Sequence, residues 1–198
     1  DHVALEISDI AQIISLGFPK GDVEAPLVDI GIGAVDRSKP VIMVVGHNVI
    51  PSTAIIDYLE EHGLRDSVEV VGLCCTAHDI ARYTAYRHRK AKIVGPISWQ
   101  LKFIRSGVPD VIVVDEQCIR ADMPVEAAKI GAVVIATNAK VSYGFPDKTN
   151  EDPDKVVEEL VSRRIPGALI LDPDKVGEVA VKAALKVAPL RTSYKAPP

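Results

Sequence analysis

The stretch VIMVVGHN, residues 41–48, decides the fold of this chain. Its first five residues are apolar and four of them are β-branched, and a helical pattern follows from Ser52 to His62 and closes at Gly63. An unbroken apolar run of this kind predicts a strand that is buried on both faces, as strands of parallel sheets are. The stretch therefore predicts one strand followed by a turn and a helix.

The same pattern recurs along the rest of the chain. Apolar runs cover residues 68–73, 91–94, 111–114, 132–136 and 168–171, and helical periodicity follows each of them, over 77–87, 96–106, 124–130, 154–164 and after 171. Strands that alternate with helices predict parallel pairing with right-handed crossovers. We therefore predict an α/β, Rossmann-like three-layer domain, with a mainly parallel sheet of six strands and helices on both faces.

This domain is predicted to extend from residue 41 to residue 190. Residues 1–40 are expected to form a leading helix over 3–16 and an irregular connector rich in Gly and Pro, and residues 191–198 a C-terminal linker. A chain of 198 residues with 47% hydrophobic residues can bury one substantial core. Aromatic residues make up only 5%, so that core must consist mainly of aliphatic side chains.

Composition excludes several classes of function. The 23 basic and 27 acidic residues are interspersed and give a net charge of −4, which offers no support for nucleic-acid binding. No apolar run approaches the length of a membrane span, and no cleavable signal peptide is recognisable, so a cytoplasmic protein without membrane contact is expected. Three cysteines, two of them adjacent, do not form a disulfide framework and indicate free thiols in a reducing compartment.

The residues that follow the predicted strands are the candidates for a functional site. His47 follows the first strand, Cys74 and Cys75 the second, and Cys118 the fourth, so every cysteine lies at the same predicted sheet edge. Ligands of open α/β sheets bind at this carboxyl edge. Thiolates with an imidazole favour an iron–sulfur cluster or a soft metal ion. Because no CxxC pair is present, a zinc finger is not expected.

Other interpretations remain open at this point. A single Cys after a strand is more often a buried core residue than a ligand, and His47 could simply cap its loop. Turns such as Gly46-His47-Asn48 could approach a nucleotide, although GxGxxG and Walker motifs are absent. Asp115 and Glu116 could be a catalytic acid and base, but a capping role or a role in supporting ligands is more common near a strand end.

Three motifs resemble those of the nickel-containing carbon monoxide dehydrogenases. They are GHNVIP at 46–51, GLCCTA at 72–77 and DEQCIR at 115–120, and the stretch QLKFIRSGVPD at 100–110 strengthens the likeness. The residues of these motifs are more similar to those of the archaeal members, which belong to acetyl-CoA decarbonylase/synthase complexes, than to those of the bacterial enzymes. The resemblance extends over nearly the whole chain.

This resemblance implies a nickel–iron–sulfur cluster and the anaerobic oxidation of carbon monoxide with water to carbon dioxide, two protons and two electrons, or the reverse. By the family pattern, His47 and Cys75 would bind the iron outside the cubane, Cys118 would bind the cubane, and Cys74 would be an adjacent thiol. Catalytic residues cannot be assigned within this segment.

The resemblance also implies that the chain is only part of a subunit. The remaining cluster cysteines, the further 4Fe–4S clusters and the proton-transfer residues of the family lie outside this segment, and the subunit would be a homodimer within a larger complex. The segment alone is therefore expected to be inactive. Alternatives are a hybrid-cluster, hydroxylamine reductase-like domain, which the adjacent Cys74-Cys75 pair disfavours, and a metal-free α/β interaction or nucleotide-binding module.

Overall fold

The computed structural model describes Val3, Ile7 and residues 29–78, 80 and 92–191. The predicted leading helix over 3–16 lies outside the described residues except for Val3 and Ile7, which are helical and exposed. The second half of the helix predicted over 77–87 and most of the predicted linker also lie outside them.

One parallel sheet organises the described chain. Its seven strands follow the order β1-β4-β3-β2-β5-β6-β7, and all neighbouring strands run parallel. The strands are β1 Asp29–Ile30, β2 Val41–Val45, β3 Glu69–Leu73, β4 Lys92–Gly95, β5 Val111–Val114, β6 Val133–Ala136 and β7 Ala168–Leu169. The predicted Rossmann-like α/β fold is confirmed, and β1 adds a short strand that its two residues were too few to indicate.

The helices follow the strands as the periodicity predicts. They are α1 Ile50–Glu61, α2 Gln100–Arg105, α3 Met123–Ile130, α4 Pro153–Val161 and α5 Pro173–Val187. A further helix begins at Cys75 and is described over its first turn. Asp152 and Asp172 cap α4 and α5 by accepting hydrogen bonds from backbone N–H groups of the first turn, and a proline occupies the start of each of these helices. No helix in the described ranges combines the length and apolarity needed to cross a membrane.

The unbroken apolar runs are explained by two cores, one on each face of the sheet. Along β2, Ile42 and Val44 enter the core shared with α1, α4 and α5, whereas Val41, Met43 and Val45 enter the core shared with α2 and α3. Side chains alternate between faces along a strand, so both alternate sets must be apolar. All five residues of β2 are buried, which places this strand at the centre of the three layers.

The strand order fixes where a ligand would bind. From β2 the chain adds β3 and β4 on one side, then crosses back to add β5, β6 and β7 on the other. The carboxyl ends of β2 and β5 therefore flank the point where the winding direction changes, and this is the position at which open α/β sheets form a crevice. His47 follows β2 there, and Asp115 follows β5.

An ion pair closes the opposite edge of the sheet. Arg191 donates to both oxygens of the buried Asp110 carboxylate and to the carbonyl oxygens of Arg37 and Lys39. Asp110 also accepts a 2.8 Å hydrogen bond from the N–H of Val41. These contacts fasten the end of the described chain to the start of the central strand.

Gly177→Ala is expected to destabilise the chain, although alanine normally favours a helix. A Cβ at position 177 would lie 2.6 Å from the backbone oxygen of Ala54, because α5 packs directly on α1. We expect the free energy of unfolding to fall by about 1–3 kcal/mol. Urea unfolding followed by circular dichroism measures it. In the control Gly33→Ala, where nothing lies within 4 Å of the added Cβ, the change should stay below about 0.5 kcal/mol. Equal effects of the two substitutions would contradict this packing argument.

Candidate metal centre

Gly46 shapes the turn that presents His47. Its φ of 135° lies in a region that side chains disfavour, and a Cβ there would lie only 1.6 Å from Oδ1 of Asp115. A glycine is therefore required both by the backbone conformation and by the close approach of the carboxylate. The GHN motif of the sequence is explained by this approach.

The buried Asp115 carboxylate joins three strand ends. It accepts a 3.0 Å hydrogen bond from the N–H of His47, further bonds from the N–H groups of Asn48 and Glu116, and a 3.4 Å bond from the hydroxyl of Thr76. His47 and Asn48 follow β2, Glu116 follows β5, and Thr76 follows β3. The sequence left two interpretations of Asp115 open, a catalytic acid or base and a residue that supports neighbouring groups. These contacts agree with the second.

The second loop carries the two adjacent thiols. Cys74 has a φ of 73°, which is uncommon for a residue with a side chain, and the helix begins at Cys75. The N–H of Thr76 donates to the carbonyl oxygen of Gly46 at 3.0 Å, so this loop is held directly against the His47 loop. The sulfur atoms of Cys74 and Cys75 lie 4.0 Å apart.

These two loops bring together a group of three possible metal donors. One ligand atom each from His47, Cys74 and Cys75 lie within 4.8 Å of one another. Two thiolates bound to one tetrahedral ion at about 2.3 Å would be separated by about 3.8 Å, close to the observed sulfur–sulfur distance. The buried Nδ1 of His47 has no hydrogen-bond partner among the described residues. The donor types and the unpaired imidazole nitrogen therefore fit a soft metal or an iron–sulfur cluster.

Cys118 lies at the same sheet edge but outside this group of donors. It is exposed, follows β5, and has a φ of 62°. Its charge contributes to the raised pKa of Cys74, so the two thiols are within electrostatic reach of each other. The structure thus brings His47 together with Cys75, adds Cys74 to the pair, and leaves Cys118 on the neighbouring loop.

Burial raises the pKa of the Cys74 thiol to about 11. Cys74 packs against the core formed with α2 and α3, and removal from water disfavours its charged form. The Cys75 N–H partly offsets this effect, whereas the neighbouring thiols Cys75 and Cys118 add to it. Without a metal, Cys74 is therefore protonated at neutral pH.

Sequence comparison identifies the family to which the chain is similar. The profile of the prismane/CO dehydrogenase family matches residues 1–185. The chain belongs to this family. It is 56% identical over 195 residues to the acetyl-CoA decarbonylase/synthase complex subunit alpha of Methanothermobacter thermautotrophicus, and 51% identical over 193 residues to subunit alpha 1 of Methanosarcina barkeri. These alignments cover 98% and 96% of the chain.

A solved structure has a fold similar to that of this chain. Carbon monoxide dehydrogenase IV from Carboxydothermus hydrogenoformans superposes with a TM-score of 0.63 over 84% of this chain, at 18% identity. The match covers 24% of that protein, and this chain likewise spans 24% of each of the two curated relatives. The described domain therefore corresponds to about a quarter of such a subunit.

Gln100 is a buried polar residue near this site whose role was missed in the sequence. Its side chain contacts the loop that carries Cys118, 18 residues away. Hydrophobic periodicity gave no signal for it, because a glutamine at the start of a helix is usually exposed. The only indication was its position after a strand, within the stretch that resembles the family.

The raised pKa predicts slow alkylation of Cys74 in the metal-free chain. At pH 8 a thiol of pKa about 11 has about a hundredfold less thiolate than one at the model-compound value of 9.0. Since the more basic thiolate is also more nucleophilic, we expect the rate at Cys74 to be about tenfold lower in the folded chain than in urea, to lie below that of the exposed Cys118, and to rise with pH up to about 11.

Pulsed iodoacetamide labelling with tandem mass spectrometry measures these rates for each cysteine. In urea, where burial is lost, the rates at Cys74 and Cys118 should converge. Equal rates at pH 8 in the folded chain would contradict the burial of the Cys74 thiol.

Asp115→Asn is expected to weaken the hydrogen bonds that join the loops after β2, β3 and β5. The amide nitrogen of asparagine cannot accept the backbone hydrogen bonds that one carboxylate oxygen now receives. We expect the free energy of unfolding to fall by about 2–3 kcal/mol, because bonds to a buried charged acceptor are lost. Chemical denaturation measures this change. The neighbouring Glu116→Gln is the matched control; it loses only a 3.5 Å pair with the exposed Lys140 and should cost less than about 0.5 kcal/mol.

Proposed function

We propose that this chain forms a cluster-binding domain of an anaerobic nickel–iron–sulfur carbon monoxide dehydrogenase. The reaction would be CO + H2O ⇌ CO2 + 2 H+ + 2 e−, within a complex that makes or cleaves acetyl-CoA. One observation carries this proposal. In this member of the family, the imidazole of His47 and the thiols of Cys74 and Cys75, from two loops far apart in the sequence, have donor atoms within 4.8 Å of one another at the carboxyl edge of the sheet.

The ligand assignment follows the family pattern. We assign His47 and Cys75 to the iron outside the cubane and Cys118 to the cubane, with Cys74 as an adjacent thiol. The exposure of Cys75 and Cys118 supports this choice, since a cluster shared with other parts of a subunit must be reached from the surface of this domain. The packing of Cys74 against the core supports its lesser role.

The residues of the chain would bind the cluster and keep its ligands in place. When bound, the cluster would supply two-electron redox chemistry and Lewis acidity toward carbon monoxide and water. Thiols must lose their protons and imidazole must be neutral to bind metal. Asp115, through the N–H of His47 and the hydroxyl of Thr76, would hold the imidazole and Cys75 loops at a fixed spacing before metal arrives.

The proposed activity requires more than this domain. The chain spans 24% of its curated relatives, so we propose that the remaining cluster ligands and further 4Fe–4S clusters are supplied by other segments of the same subunit. The names of those relatives describe subunits of a complex, which supports a multi-subunit assembly, and we propose a homodimer of the subunit within it. The segment alone is expected to be inactive.

Two other functions have less support. The family includes prismane proteins, which makes a hybrid cluster the alternative, but 56% and 51% identity to two alpha subunits favours carbon monoxide dehydrogenase. A metal-free module would leave the buried Nδ1 of His47 without a partner among the described residues.

A chimeric subunit tests this proposal. The chain replaces the matching quarter of the Methanothermobacter thermautotrophicus alpha subunit, which supplies the other segments. We expect the chimera to contain nickel and iron and to reduce a viologen dye with carbon monoxide. His47→Ala should lower nickel content and activity together, by about 100-fold or more, because loss of a direct ligand should exceed the 10- to 100-fold effect of losing a supporting residue.

The matched control is His62→Ala, which removes an exposed imidazole stacked on Tyr58 at the end of α1. Its nickel content and turnover should remain within about twofold of the parent chimera. A folded chimera that contains no nickel or iron, when the unmodified alpha subunit prepared in parallel contains both, would contradict the proposed function. Full nickel content in His47→Ala would contradict the ligand assignment.

A further inference from the structure

The side chain of Gln100 is almost completely buried, with 1% exposure, and its polar groups are all directed at backbone. Its amide nitrogen donates to the carbonyl oxygens of Cys118 at 2.7 Å and Ile97 at 3.1 Å. Its amide oxygen accepts from the N–H of Arg120 at 3.2 Å. Two of these bonds cross from the start of α2 to the loop after β5 and enclose Ile119.

The loop that Gln100 contacts holds a cysteine in an unfavourable conformation. Cys118 has a φ of 62°, and a left-handed conformation is sterically unfavourable for a residue with a side chain. Cys118 itself is exposed, so packing does little to impose this conformation. The Gln100 hydrogen bonds to the backbone on either side of Ile119 are suited to hold Cys118 in this conformation.

We propose that Gln100 is a positioning residue for the thiol of Cys118. By fixing the carbonyl of Cys118 and the N–H of Arg120, it holds Cys118 in its left-handed conformation and so sets the direction of the Cα–Cβ bond. Without this amide, the loop relaxes toward a common backbone conformation and the sulfur turns away from the His47 and Cys75 loops. The relevance to metal binding rests on the proposed function of Cys118 as a ligand.

A purely structural role for Gln100 would have different consequences. Its bond to Ile97 lies within its own turn, and a buried amide without partners destabilises any protein. Such a role would lower stability without acting on Cys118 in particular. The test therefore needs one measurement of the Cys118 backbone and one of cluster binding. The free energy of unfolding of each variant is measured alongside them.

The first measurement uses the 198-residue chain without metal. Cysteine labelled with carbon-13 and nitrogen-15 reports the backbone conformation at each cysteine by NMR, and Cys118→Ser assigns the resonance. In Gln100→Met, which removes the amide but keeps its length, we expect the Cys118 resonance to leave the left-handed range while that of Cys74 remains. Gln100→Glu keeps an acceptor for the Arg120 N–H but replaces the donor to the Cys118 carbonyl by an oxygen, so it should shift the resonance as well.

The second measurement uses the chimeric subunit. Gln100→Met is expected to lower nickel content about 10- to 100-fold, as supporting residues of metal sites do. In a Cys118→Ala background the same substitution should cause no further loss, because a residue that acts through Cys118 is not additive with it. The control is Thr137→Val, which removes a 3.1 Å side-chain bond to the Val114 carbonyl near the same edge and should retain nickel, and urea unfolding measures the stability of both variants.

Each outcome decides between the possibilities. An unchanged Cys118 resonance in both Gln100 variants overturns the positioning role, whatever the metal content. An additional loss of nickel in the Cys118→Ala background also overturns it, in favour of a structural role. If the resonance shifts but Cys118→Ala alone keeps full nickel, the ligand assignment under the proposed function fails, and with it the role of Gln100 in metal binding.

Discussion

The candidate site depends on one buried carboxylate at the centre of the sheet edge. Asp115 receives hydrogen bonds from residues that follow β2, β3 and β5, and its close approach requires a glycine at position 46. Bonds from several N–H groups to one charged acceptor are strong and directional. They hold together three loops that are far apart in the sequence and that the parallel strands bring to the same edge of the sheet.

Around this anchor, the protein keeps unfavourable backbone conformations at two of the candidate site residues. Cys74 and Cys118 both have positive φ, a conformation usually reserved for glycine, and each belongs to a loop that leaves a central strand. Strain of this kind persists only where the surroundings enforce it. The contacts placed to enforce it are the Thr76–Gly46 backbone bond in one loop and, as we propose, the Gln100 side chain in the other.

The candidate metal centre would form one side of the larger site that we propose. Two of the three thiols are exposed, and the donors lie at the rim of the domain rather than in an enclosed cavity of the described chain. A closed structural zinc site would need four ligands from this domain. An open rim is instead suited to a cluster completed by other segments of a subunit, as expected for a chain that spans a quarter of its relatives.

The sequence by itself determined the sheet and the edge at which chemistry is placed. Apolar runs such as residues 41–45 can only be buried on both faces, and parallel strands deliver the residues that follow them to one edge, so His47, Cys75 and Cys118 could be selected as candidates. Only the tertiary structure decided which donors meet. Cys74 joins His47 and Cys75, while Cys118 remains on its own loop, because backbone turns of a single residue set the direction of each side chain. The roles of Asp115 and Gln100 were likewise undetermined, since both act through hydrogen bonds to backbone groups that are remote in sequence and have no periodic pattern.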